Sequence, residues 1–93
     1  MTSTRFQWWK IVRAPGHCIN DLERGERRTI NRYGKPVAEL YRLPRGGIAG
    51  LSGRRMSTAE MTDQGQGLAE MLDEGAVVLT RYGVDEAVVR KIG

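Results

Sequence analysis

Residues 29–40 read Thr29-Ile30-Asn31-Arg32-Tyr33-Gly34-Lys35-Pro36-Val37-Ala38-Glu39-Leu40. Tyr33-Gly34-Lys35 reads as a tight turn, because glycine takes a positive φ without steric cost. Residues 27–31 before it read as a strand. Residues 36–43 after it read as the returning strand, with Pro36 at the first position, where a missing N–H is tolerated. The stretch predicts a β-hairpin. Its Arg-Tyr-Gly returns as Arg81-Tyr82-Gly83, between an apolar strand over residues 76–80 and a returning segment over residues 87–92.

The likeness extends outward in register. Ala38 meets Ala87, Leu40 meets Val89, Arg42 meets Lys91, Leu43 meets Ile92 and, upstream, Ile30 meets Leu79. One extra residue in the first copy then brings Leu22-Glu23-Arg24-Gly25 opposite Leu72-Asp73-Glu74-Gly75. Each copy reads helix, glycine, strand, Arg-Tyr-Gly turn, strand. A unit of about 40 residues rarely buries enough surface to stand alone. Two in one chain can cover each other, giving a pseudo-two-fold module. The alternative is chance recurrence of a common strand-turn-strand pattern.

The rest of each copy is read from local signals. Residues 5–13 (RFQWWKIVR) are aromatic and β-branched enough for a strand, broken by Pro15-Gly16. Residues 18–24 read as a short helix with Ile19 and Leu22 on one face, closed by Gly25. In the second copy Ser57 caps a helix and Glu60, three residues on, completes a capping box. Leu68, Met71 and Leu72 give that helix an apolar stripe. Gly65 and Gly67 each weaken its middle by roughly 1 kcal/mol relative to alanine, so a kink is expected there. Residues 45–55, rich in Gly46, Gly47, Gly50 and Gly53, read as a flexible linker between a first unit over 1–44 and a second over 56–93.

Charge divides the same way. Residues 1–55 carry twelve Lys/Arg against four Asp/Glu, a net +8, whereas residues 56–93 carry three against seven, a net −4. Most of the bases are arginine, whose planar fork suits phosphate. A basic half binds polyanions by releasing their counterions; the bland reading is an arginine-rich solvated surface.

At 93 residues, 40% hydrophobic and 28% charged, the chain has globular composition but little room for a deep enzyme cleft. No apolar run approaches the ~20 residues of a membrane span, and no apolar core follows Arg5 and Lys10 to make a secretory signal. The lone Cys18 excludes an internal disulfide. A cytoplasmic protein without cofactor is expected. His17-Cys18 is the one pair that invites a catalytic or metal reading, but a nucleophile needs a base and an orienting group, and zinc about four ligands. Gly46-Gly47 and Gly50 lack the Lys-Ser/Thr of a phosphate-binding loop. No catalytic residue and no metal site is predicted.

The repeat unit resembles the prevent-host-death (Phd/YefM) antitoxin family. Gly25-Glu26 followed by residues 29–40 looks like the family's hairpin signature, "I-T-R-x-G-K-P-V-A-x-L" after "G-E". Ser57-Thr58-Ala59-Glu60 and Val77-Val78-Leu79-Thr80-Arg81-Tyr82-Gly83 look like its "S-T-A-E" helix and "V-V-I-T-R-x-G" strand. The resemblance covers roughly residues 8–44 and 55–92. It implies an α/β (α+β) fold of strand-helix-β-hairpin units, here two tandem copies or a dimer sharing an antiparallel sheet. It also implies operator binding with autorepression, and neutralisation of a cognate toxin by a segment that orders on binding. The partners expected are operator DNA, a cognate toxin protein and a second copy in a homodimer or higher oligomer, with no membrane. The toxin-binding residues are left unknown.

The resemblance also nominates residues. The family arginine before the turn glycine contacts operator DNA, which points to Arg32 and Arg81. Its other DNA-contacting arginine, in the first helical turn, falls on Met61 or Thr62 in the second copy; in the first copy Arg13 is the nearest candidate. Arg27, Arg28 and Lys35 are placed as phosphate positioners rather than base readers. Arg5, Lys10 and Arg13 interleave with Phe6, Trp8 and Trp9, a mixture that grips single strands or, more commonly, anchors a core or a dimer.

Three departures stand against the family pattern. The usual acidic helical tail after the hairpin has no counterpart before Gly93, Val84-Asp85-Glu86 replaces Lys-Pro-Val, and Pro15-Gly16 falls inside the first helix. The acidic second unit would then occupy the toxin-binding region, suited to a basic toxin. A rival reading keeps the fold but makes the chain an inhibitor that binds another protein and leaves DNA alone.

Overall fold

The computed structural model describes residues 5–45 and 54–92, in which six strands form one mixed sheet covered by helices on one face. The first half runs β1 (Arg5–Gln7), α1 (Trp8–Arg13), α2 (Pro15–Asp21), β2 (Arg27–Arg32) and β3 (Lys35–Arg42). The second runs β4 (Arg54–Ser57), α3 (Thr58–Gln64), a single 3-10 turn (Gly65–Gly67), α4 (Leu68–Glu74), β5 (Val77–Arg81) and β6 (Val84–Lys91). The sheet order is β1-β2-β3-β6-β5-β4, so the two halves meet at β3 and β6.

The halves are related by a pseudo-dyad through the Leu40–Val89 pair. Ala38 faces Lys91 and Arg42 faces Ala87; exchanging each residue for its partner 49 positions away turns one pair into the other. The hairpins repeat this down to a bulge between Ile30 and Asn31 and another between Leu79 and Thr80. Nearer the chain start of each unit the offset is 50, because Phe6 pairs with Ile30 as Met56 pairs with Leu79.

The alternation of β3 and β6 explains the layering. Ala38, Leu40, Ala87 and Val89 point towards the helices and are fully buried with Phe6, Ile11, Ile19, Ile30, Met56, Met61, Leu68, Val77 and Leu79. Each large side chain so buried stabilises by roughly 1.5–3 kcal/mol before entropy is counted. On the opposite face Val78 and Val88 are covered by Leu43, with Tyr41 and Ala76 beside them.

Several expectations are corrected. The sheet is not wholly antiparallel: β1–β2 and β4–β5 are parallel, since a helical crossover returns the chain to the end from which it left. Residues 5–13 are strand only as far as Gln7. Trp8, Ile11 and Val12 have the i, i+3, i+4 spacing of a helix face, and packing of that face overrides their strand propensity. Pro15 opens α2 at its first turn instead of breaking the chain. That helix stops at Asp21, and Gly25 (φ 84°) belongs to a separate turn in which the Glu26 amide donates to the Glu23 carbonyl. The return segment of the second hairpin begins at Val84, not Ala87. Arg54 and Arg55, read as linker, are in β4; the glycines of that linker lie outside the described residues.

The capping box at Ser57 and Glu60 is present, each side chain accepting the other's backbone N–H at 3.0 Å. Gly65–Gly67 interrupts the second helical segment where the first is interrupted before Pro15.

Candidate nucleic-acid interface

The pseudo-dyad sets the two hairpin turns at opposite ends of the sheet. Tyr33-Gly34 and Tyr82-Gly83 each lie six or seven residues before the dyad pair, running in opposite directions. About 13 residues of strand separate them, in a molecule whose principal-axis extents are 32 × 30 × 24 Å. Both central residues of each turn have positive φ (53° and 76°, 53° and 74°), the type I′ geometry that matches strand twist. Tyr33 and Tyr82 stand fully in solvent at the two tips.

The arginines beside these tips are in different states. Arg81 is held: its Nη1 donates to Asn20 Oδ1 at 2.9 Å and its Nη2 lies 3.5 Å from Glu86 Oε2. Glu86 is the bulged residue of β6. Its counterpart in β3 is Val37, so the carboxylate is missing from the first unit. Among the described residues the Arg32 guanidinium has no ion pair or hydrogen bond. Its guanidinium instead lies over the Trp8 ring at 4.7 Å and beside the Tyr33 ring at 5.3 Å.

Arg32 also borders a groove of about 310 Å³ lined by Trp8, Trp9, Val12, Arg13, Gly65 and Gln66. On the other side of the Arg32–Trp8 stack is a smaller cleft of about 120 Å³ reaching Val37, Ala69, Leu72, Asp73 and Lys91. Asp73 there is tied to Lys91 at 2.6 Å.

Of the nominated bases, the fold brings Arg32 and Arg13 onto one groove and sets Lys35 opposite Arg32 in the hairpin. Arg13 and Lys35 are exposed and, among the described residues, without an acidic partner. The others lie apart. Lys10 is 3.7 Å from Asp21, bracing α1 against α2. Arg28 lies over Phe6 at 4.9 Å and pairs with Glu26 at 3.3 Å. Arg27 is on the opposite sheet face, over Tyr41 at 5.1 Å and 3.8 Å from Glu39. Glu39 also accepts from Arg90 at 2.7 Å across the β3–β6 seam.

The residues that sequence reading did not assign to the site are Asn20 and Glu86, which engage Arg81, and Gln66, which lines the groove at Arg32. Glu86 was legible as a departure from Lys-Pro-Val, but not its bond to Arg81. His17 is exposed and Cys18 fully buried, where burial pushes the thiol up to about 11. Among the described residues no helix is long and apolar enough to cross a membrane. Comparison of the chain with protein-family models, with curated proteins and with solved structures finds no match.

Proposed function

We propose that this chain is an antitoxin-like regulator of the Phd/YefM kind, which binds operator DNA as an autorepressor and neutralises a cognate toxin by direct contact. The observation that carries the reading is the pseudo-dyad between β3 and β6. The resemblance implies two units pairing to share a sheet, and here two strand-helix-hairpin units in one chain share one. A two-fold scaffold matches the symmetry of an operator. Arg32, Arg13 and Lys35 supply the cations on the first unit, with Arg81 acting as a strut in the second. No catalytic role is assigned to any residue.

The test is retention of the chain's own promoter fragment in a gel shift. Binding should weaken steeply from low to high salt, because arginine contacts displace counterions. Arg32→Ala with Lys35→Ala should lower the affinity and reduce the slope by about 2 in the logarithmic plot. Retention that is flat with salt, or unchanged in the double variant, overturns the DNA reading.

Two observations favour a second reading. Arg81 is engaged within the protein and the second unit is net acidic. An inhibitor that keeps the fold and binds a basic protein through its second half accounts for both. A stable protein partner in pull-down, without promoter retention, selects it.

A further inference from the structure

The pseudo-dyad supplies an internal control, because the same scaffold position occurs twice with different chemistry. With the offset of 50 that relates β1 to β4, Trp8 corresponds to Thr58, Trp9 to Ala59, Arg13 to Asp63 and Gln66 to Gly16. The correspondence is spatial as well: Gln66 lines the groove at Arg32, and Gly16 lies against Arg81, its Cβ position 4.0 Å from Nη1. In the second unit the arginine is closed off by Asn20 and Glu86 and faces neither indole nor second cation. In the first the carboxylate is replaced by Val37, and two indoles, a second arginine and a carboxamide surround the opening.

We propose that the groove between α1, Arg32 and the Gly65–Gln66 turn is a nucleotide-binding site, taking one base and its phosphate. An arginine stacked on an indole has its ring-side face satisfied and its N–H edge free to donate. Arg13 and Arg32 line the same groove and none of its lining residues is acidic, so the site favours an anionic occupant. Trp9, largely solvent-exposed, offers a π-face on which a base can stack. Gln66 can donate to and accept from a base edge. The cavity volume is at the lower end of the range for small-ligand pockets, the size of a mononucleotide rather than a duplex. The inference uses the same Arg32 as the operator reading but does not require an operator: a free nucleotide and a base displaced from a strand share this chemistry.

Trp8 and Trp9 are the chain's only tryptophans and both line this groove, so tryptophan fluorescence reports on it. Adenosine 5′-monophosphate titrated into the full chain should quench it with half-saturation at about 1 mM or tighter. Adenosine alone and inorganic phosphate alone should each be weaker by roughly tenfold, since each keeps half of the contacts. Arg32→Ala should weaken the nucleotide response by roughly tenfold or more, while Arg24→Ala, an exposed arginine away from the groove, should leave it unchanged. Trp9→Ala, which removes an exposed ring, should weaken binding measured by calorimetry without lowering stability. A single-stranded hexamer of deoxyadenylate binding more tightly than the mononucleotide assigns the site to a strand; equal binding assigns it to the free nucleotide. No quenching up to about 10 mM, or phosphate acting as well as the nucleotide, or Arg32→Ala and Arg24→Ala behaving alike, overturns the proposal. Promoter retention without any nucleotide response overturns it while leaving the operator reading intact.

Discussion

Gly65 of the second unit lies so close to Val12 of the first that a Cβ built on it would stand 2.5 Å from Val12 Cγ1 and 3.2 Å from Val12 Cβ. The β-branched valine has a stiff χ1 and cannot swing away. Gly65→Ala should therefore destabilise by about 1–3 kcal/mol despite alanine's better helix propensity. Urea denaturation reads the change; a more stable variant would mean that the helices separate more easily than their contact implies.

Tyr33 and Tyr82 occupy turn positions with positive φ, where a side chain other than Asn, Asp or Gly is strained. Their rings are solvent-exposed, so little packing is lost on replacement. Tyr33→Asn and Tyr82→Asn should each raise stability by about 0.5–1 kcal/mol, and the two should add because the tips are far apart. A loss in either variant would show that the ring contributes more to the fold than the turn strain costs.

The twin arginines should differ in stability. Arg81→Ala leaves the largely buried Glu86 without its counter-charge and should cost about 1–2 kcal/mol. Arg32→Ala forfeits a cation–π stack worth about 0.5–1 kcal/mol. Thermal unfolding ranks them, and the reverse order would contradict the assignment of strut and open site.

Cys18 is buried in the core, and its thiol is pushed from 9.0 up to about 11, chiefly by loss of solvent. The native protein should react slowly with a thiol reagent at pH 8 and rapidly once unfolded. A folded-state pKa above the unfolded one means stability is whole below about pH 9 and declines as pH rises towards 11. Cys18→Ala should flatten that decline; an equal slope in the variant would place its cause elsewhere.

Glu26 caps the turn before β2: its Oε1 accepts from the Glu23 amide at 2.9 Å and its Oε2 from Arg28 at 3.3 Å. The backbone hydrogen bond first, and Arg28 second, hold its carboxyl below 4.5. The stability so gained is present above that value and is lost as pH falls through the lower, folded one. An acid titration of stability should therefore be shallower for Glu26→Gln than for the natural chain.

The amino-acid sequence by itself determined the hairpins, their tyrosine-glycine turns, the Ser57–Glu60 cap and the two-copy plan. Each of these is written in residues close together in the chain, where a glycine, a capping hydroxyl or a strand alternation acts locally. It also carried the +8 and −4 halves, which add up without reference to geometry. The helix at Trp8–Arg13 reads as strand from its aromatic and β-branched composition; its helical spacing at Trp8, Ile11 and Val12 is present, but burial of Ile11 in the core is what selects the helix. Which arginine is engaged and which is open was settled by tertiary structure alone. Asn20 reaches Arg81 across 61 positions of chain, and Gln66 comes to Arg32 from the other half. Such partners are chosen by how two units pack across a dyad, and no local preference of the chain encodes that.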